Sequence, residues 1–128
     1  MAPPDLDIRQ LALEARTRAR ELRTRGLHDD ALREIDVAAD HARRAGDPLL
    51  TAQVQIGAVD SLGMLGLLDA AVNRANGLVF TLERLGARDD VARVQCNLGN
   101  IYFRNDRYED ALACYERARA GFGTTDDT

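Results

Sequence analysis

The fold of this chain is decided by a short phrase that occurs three times at a fixed interval. The three copies read Gly26-Leu27-His28-Asp29-Asp30-Ala31, Gly66-Leu67-Leu68-Asp69-Ala70-Ala71 and Asp106-Arg107-Tyr108-Glu109-Asp110-Ala111. Their last alanines are forty residues apart (71 − 31 = 40; 111 − 71 = 40). The same interval links Leu32, Val72 and Leu112, and also Leu22, Leu62 and Tyr102. Such a period is typical of stacked supersecondary units, so the sequence predicts a repeat architecture.

Length and composition indicate one helical domain. The 128 residues allow three units of about forty residues and leave no room for a catalytic domain. With 45% apolar residues, 5% aromatic residues and no Trp, we expect a core of Ala, Leu and Val between closely spaced helices. The predicted units are 5–46, 47–86 and 87–122, followed by a tail at 123–128.

Apolar residues recur with helical periodicity in six segments. The predicted helices cover about 5–25, 28–44, 48–65, 68–85, 89–104 and 108–120. Asp47 is expected to cap the third helix, with Pro48 in its first turn. Gly57, Gly63 and Gly77 fall inside helices, where close helix approach is the expected reason and a hinge the alternative. The predicted fold is all-α, with three antiparallel helix hairpins.

Charge and cysteine usage exclude several kinds of partner. All 17 basic residues are Arg, and 21 acidic residues give a net charge of −4. We therefore expect no binding to nucleic acid or membrane, although a local basic patch stays open. Cys96 and Cys114 fit neither a metal-ligand spacing nor a disulfide framework. No secretion signal or membrane-spanning run is recognisable, so a cytoplasmic protein is expected.

No group of residues predicts catalysis. His28 and His41 lack acidic or Cys neighbours at metal-ligand spacing, and His28 is expected to pack in the interior. The pairs Asp29-Asp30, Asp89-Asp90 and Asp126-Asp127 lie at helix starts or in the tail, where acids complement a helix dipole. Phosphate-loop, zinc and Ser/His/Asp patterns are missing. We predict a protein that is not an enzyme and uses no cofactor or metal.

The last unit resembles a tetratricopeptide repeat. That pattern pairs Leu-Gly and Tyr on the first helix with Ala, an aromatic residue and Ala on the second. The matching residues here are Leu98, Gly99, Tyr102, Tyr108, Ala111, Tyr115 and Ala118. The interval exceeds the usual spacing of about 34 residues, which resembles the long-repeat bacterial branch of the family. The resemblance implies a right-handed superhelix, an α-solenoid, like those beside signalling, regulatory or caspase-like peptidase domains.

In that family the first helices line a concave groove that binds a protein or peptide. By register, the resemblance implies a groove of Arg16, Arg20, Arg23, Gln53, Asp60, Met64, Arg93, Asn97, Asn100 and Arg104. Steps of three and four residues place the members from unit one on one helix face, and likewise the members from unit three. Carboxylate-binding members use Lys at some places held here by Arg16, Cys96 or Arg93.

The implied groove is basic although the chain is acidic. It contains five Arg and a single acid, Asp60. Because Arg pairs with carboxylates in a bidentate manner, an acidic peptide or a C-terminal carboxylate is the expected ligand. Asn97 and Asn100 could bond the backbone of that peptide. The alternative is a solvated face that Glu14, Glu21 and Asp60 partly neutralise.

The last helix is expected to leave an apolar strip uncovered. Arg119 stands where the earlier units carry Ala39 and Val79, but Leu112, Tyr115 and Phe122 remain on or near the outer side. Exposed strips of this kind usually meet a partner. A homodimer through the last helix, or a continuation in a larger protein, is therefore expected. Scaffolding or self-assembly is the alternative to peptide binding.

Overall fold

The helices are separated by turns in which every twentieth residue has a positive φ. Gly26, Gly46, Gly66 and Gly86 have φ values of 78°, 70°, 78° and 73°, and Asp106 takes the fifth place with 61°. In each turn this residue donates its N–H to the carbonyl three residues back, and the next residue donates to the carbonyl five residues back. This is the Schellman arrangement, in which Gly is favoured because it has no Cβ.

The structure, a computed structural model, describes the backbone of residues 4–123 and the side chains of residues 7–121. The helices of this part of the chain are α1 (Pro4–Thr24), α2 (His28–Arg44), α3 (Pro48–Gln53), α4 (Ile56–Met64), α5 (Leu68–Arg84), α6 (Arg88–Arg104) and α7 (Tyr108–Gly123). Hairpins form between α1 and α2, between α3–α4 and α5, and between α6 and α7. Because α4 also contacts α2 and α6, the hairpins are stacked, as predicted.

The sequence prediction of the helices is confirmed except in one place. Asp47 caps α3, since its Oδ1 accepts a hydrogen bond of 2.9 Å from the N–H of Leu50. The continuous third helix predicted over 48–65 is wrong, because Val54 and Gln55 interrupt it between α3 and α4. The predicted tail at 123–128 lies outside the described residues, apart from Gly123 at the end of α7.

The interruption has a local cause in hydrogen bonding. The Gln55 side chain donates through Nε2 to the Thr51 carbonyl at 2.8 Å, which is the carbonyl that a continuous helix would give to the Gln55 backbone. The Gln55 N–H bonds instead to the Ala52 carbonyl, and the Ala58 N–H to the Gln55 carbonyl, both three residues back. Side chains that compete for backbone groups are known to break helices in this way.

Small residues bring the helices close together. The cluster between the first two hairpins consists of Ala12, Ala15, Ala38, Ala39, Ala42, Leu50 and Val54. A Cβ on Gly63 would lie 2.5 Å from Cγ1 of the fully buried Ile101, so α4 and α6 need a Gly there. Gly77, in contrast, has no heavy atom within 4 Å of a Cβ position. Close helix approach, the reason predicted for these glycines, is therefore confirmed at Gly63 and wrong at Gly77.

A polar contact joins the first two units inside this core. His28 and Ser61 are both buried, and Nδ1 of His28 lies 3.0 Å from Oγ of Ser61. The prediction that His28 packs in the interior is confirmed. The contact also satisfies the Ser61 hydroxyl, which is fully buried and would be costly to leave without a partner.

Gly66 and Gly77 form a matched pair for testing the role of the turns. Neither would bring a Cβ within 4 Å of another atom, so only the backbone conformation distinguishes them. Gly66→Ala should lower the free energy of unfolding by about 1–2 kcal/mol because Ala disfavours the left-handed region. Gly77→Ala should raise it by up to about 1 kcal/mol because Ala is the better helix former. Urea denaturation followed by circular dichroism measures both, and changes of the same sign would contradict the explanation.

Candidate functional site

Three helices bring arginine side chains together around one recess. Its cavity measures about 270 Å³ and opens between α1, the α3–α4 interruption and α6. The polar lining consists of Arg16, Arg20, Arg23, Gln53, Arg93 and Asn97. The remaining lining is Ala19, Ile35, Val54, Ile56 and Gly57. We call this cavity the arginine recess, and it contains six of the ten residues that the sequence assigned to a groove.

The other four predicted residues do not line the recess. Asp60 and Arg104 form an ion pair with 3.5 Å between Oδ1 and Nη2, so their charges compensate each other. Asn100 accepts a hydrogen bond of 2.6 Å from the Tyr115 hydroxyl. Met64 lies at the end of α4 and is 51% exposed. The positive charge of the predicted groove is therefore concentrated at the recess.

Gly57 allows Arg23 to lie across the beginning of α4. A Cβ on Gly57 would be 2.5 Å from Nη1 and 2.8 Å from Cζ of Arg23. Any other residue at position 57 would displace that guanidinium group. The expected close approach at Gly57 is thus found, but the group that approaches is a side chain of α1 rather than another backbone. The interruption of the third predicted helix and this Gly together shape the wall of the recess.

A buried carboxylate that sequence analysis did not assign to the groove lies beside the recess. Asp90 is only 7% exposed and accepts hydrogen bonds from Nε2 of Gln53 at 2.8 Å and from Nη1 of Arg93 at 3.3 Å. The prediction that Asp60 is the single acid of this surface is therefore wrong. Helical spacing could have placed Asp90 on this surface, because steps of three and four residues lead from Asp90 to Arg93 and Asn97.

The three arginines that α1 contributes to the recess have no carboxylate partner among the described residues. None of the ion pairs among the described residues includes Arg16, Arg20 or Arg23. Burial lowers the pKa of Arg16, and the charges of Arg20, Arg93 and Arg23 lower it further, while Asp90 acts in the opposite direction. The guanidinium groups thus repel one another within a partly desolvated space. An anion that entered the recess would relieve this repulsion.

Two larger clefts arise from the repeat itself. One of about 900 Å³ lies between the α2–α3 turn and α5, and one of about 420 Å³ lies between the α5–α6 turn and α7. The two clefts have equivalent linings. Residues that are forty apart occupy the same place in each, namely Arg43 and Glu83, Gly46 and Gly86, Thr51 and Val91, and Thr81 and Gly121. Because both units produce the cleft, we attribute it to helix spacing.

Other chemistry finds little support among the described residues. Cys96 and Cys114 are free thiols, and burial raises the pKa of Cys114. The described His, Cys, Asp and Glu side chains do not gather in groups of three or more that could hold a metal ion. Within the described residues, the helices are too short or too polar to cross a membrane.

Comparison with known proteins identifies the architecture. Residues 92–120 match the tetratricopeptide repeat family. The structure is similar to the crystal structure of the TPR domain of Arabidopsis FLU, with a TM-score of 0.78 and 16% sequence identity over 91% of this chain and 98% of that chain. None of the curated proteins matches the chain. The resemblance to this family and the superhelical fold are confirmed, whereas the long-repeat bacterial branch stays a prediction.

Asp90 can be tested against its neighbour Asp89. Both lie in the first turn of α6, but Asp89 is exposed and makes no side-chain hydrogen bond or ion pair among the described residues. Asp90→Ala should lower the free energy of unfolding by about 1–3 kcal/mol because Gln53 loses a buried acceptor. Asp89→Ala should cost about 0.3–1 kcal/mol through the helix dipole alone. Equal effects in thermal or urea denaturation would show that the Asp90 contacts contribute nothing.

Proposed function

Because the chain has the fold of a tetratricopeptide repeat domain, we propose that it is a protein–protein interaction module that binds an acidic segment of another protein. The segment lies along the surface formed by α1, α3–α4 and α6, with an acidic residue at the arginine recess. The observation that carries this proposal is the group of three α1 arginines without carboxylate partners. A C-terminal carboxylate or an acidic side chain would supply the missing charge.

Some arginines elsewhere on the surface pair with acids three or four residues away, namely Arg33 with Asp30, Arg44 with Asp40 and Arg107 with Asp110. Others, such as Arg74 and Arg117, also lack an ion pair among the described residues, but they do not line the recess. The chain is acidic as a whole, with a net charge of −4. A uniform affinity for polyanions such as nucleic acid is not expected from such a protein. The recess instead provides a local attraction for a short acidic segment.

The proposed module acts by binding alone. Its described residues provide no metal-binding cluster, and the proposal assigns no cofactor and no catalytic residue. The partner is a protein rather than a membrane or a nucleic acid. A cytoplasmic location stays a prediction from the sequence.

Charge reversal tests the proposal. Titration of a fluorescent acidic peptide against wild-type protein and Arg20→Glu should show a loss of affinity of about tenfold or more in the variant, since an attraction becomes a repulsion. Arg88→Glu is the matched control, because it changes the net charge equally and lies in the cleft near the α5–α6 turn. Added salt should weaken wild-type binding, because exposed charges are screened. Equal affinities for wild type and Arg20→Glu would overturn the proposal.

Self-assembly is a second candidate function, and one observation favours it. Leu32 and Val72 are partly buried against the core, whereas Leu112, at the same place in the last unit, is 58% exposed. No further unit covers it within the described residues. The side chain of Phe122, which the sequence also assigned to this strip, lies outside the described side chains. We therefore propose a homodimer through α7 as the alternative role.

The oligomeric state decides this second candidate. Light scattering should show a dimer for the wild type and a monomer for Leu112→Glu, because a buried unpaired carboxylate would oppose association. Val37→Glu provides the control, since Val37 is also an exposed apolar residue, at 41%, but belongs to α2. A monomeric wild type at all concentrations measured would exclude the homodimer.

A further inference from the structure

The arginine recess carries more positive charge than one carboxylate can compensate. Four arginines line it, and the neighbouring Asp90 offsets one of them, which leaves three (4 − 1 = 3). Asp90 already accepts hydrogen bonds from Gln53 and Arg93, so its oxygens are engaged on that side. A single Glu or Asp side chain would compensate only one further charge. A ligand group with about two negative charges and three acceptor oxygens, such as a phosphate monoester, fits the surplus better.

The recess is also prepared for a compact anion. Arg23 lies against Gly57, where a Cβ would collide with its guanidinium group. Burial lowers the pKa of Arg16, and repulsion from the neighbouring arginines lowers it further, so these charges are brought together at an electrostatic cost. Preorganised donors need little rearrangement when a ligand arrives. Arginine clusters arranged in this way are a common means of binding phosphorylated residues.

The size of the cavity limits what can enter. Its volume of about 270 Å³ is below the range of about 300–1,000 Å³ that is typical of pockets for whole small molecules. A single side chain of an extended segment fits this space, and the rest of the segment would remain on the surface of α1 and α6. Asn97 is the lining residue next to Arg93 in the helical register and offers an amide to that segment.

We infer that the arginine recess receives the phosphate group of a phosphorylated side chain of the bound segment, an inference that rests on the function proposed above. Arg16, Arg20 and Arg23 donate to the phosphate oxygens. Gly57 acts as a specificity-determining residue because its missing Cβ leaves the space that the Arg23 guanidinium occupies. The chemical class of ligand is thus a phosphorylated protein segment rather than an acidic one in general.

Three synthetic peptides that differ at one position test the inference. The variable residue is Ser, Glu or phosphoserine, and acidic residues flank it in all three. In fluorescence anisotropy titrations, the phosphoserine peptide should bind wild-type protein about tenfold or more tightly than the Glu peptide. Inorganic phosphate should compete only weakly, since it lacks the contacts of the peptide backbone.

Two variants link the preference to the recess. Gly57→Ala should reduce the ratio of phosphoserine to Glu affinity towards one, because Arg23 is displaced, while Gly77→Ala should leave the ratio unchanged. Arg23→Gln should have the effect of Gly57→Ala, and it keeps the result interpretable if Gly57→Ala destabilises the fold.

The outcomes separate the two proposals. Equal affinity for the Glu and phosphoserine peptides would overturn the phosphate inference and leave the acidic-segment proposal intact. Failure of all three peptides to bind would overturn both. Inorganic phosphate that competes as strongly as the phosphoserine peptide would show that the recess binds a free anion rather than a protein segment. A ratio unaffected by both Gly57→Ala and Arg23→Gln would place the preference elsewhere on the protein.

Discussion

The structure depends on one backbone constraint, the return of a positive φ at every twentieth residue. Each such residue ends a helix with the same pair of hydrogen bonds, so α2, α5 and α6 all have 17 residues and each is followed by a turn of three residues. Equal helix lengths put residues that are forty apart in the chain at equivalent places in the stack. Small apolar residues then meet the same neighbours in successive units. A helix that ended two residues later would rotate its apolar face by about half a turn.

The recess arises where this regularity is interrupted. In the third predicted helix, the Gln55 side chain donates a hydrogen bond to the Thr51 carbonyl. The backbone between α3 and α4 then forms hydrogen bonds to carbonyls three residues back instead of four. Gln53, Val54 and Gly57 surround this point and line the cavity. The opposite wall is the face of α1 that carries its arginines. Gly57 follows the interruption, and because it has no Cβ it leaves room there for the Arg23 guanidinium.

The fold could be predicted from the sequence because its signals are local and repeated. Apolar periodicity and turn residues determine each helix independently, and the interval of forty residues relates the units. The interruption could not be predicted, since it depends on which carbonyl a single Gln side chain selects. The site was predicted only in part. The α1 arginines follow from helical spacing, but the burial of Asp90 depends on Gln53 from another helix, and Arg104 is compensated by Asp60 across α4 and α6.

The two faces of α1 place its arginines in different electrostatic surroundings. Ion pairs attach this helix to its neighbours through Arg9, which pairs with Asp47, and Arg18, which pairs with Glu34. The other face carries Arg16, Arg20 and Arg23, whose spacing of four and three residues makes them repel one another by a few tenths of a kcal/mol for each pair, about 0.2–0.5. An excess of acidic residues exists in the chain, yet none pairs with this face among the described residues. The arginines of α1 that face its neighbours are paired, whereas those that face the recess are not, which is the asymmetry from which the proposed binding of a negatively charged segment follows.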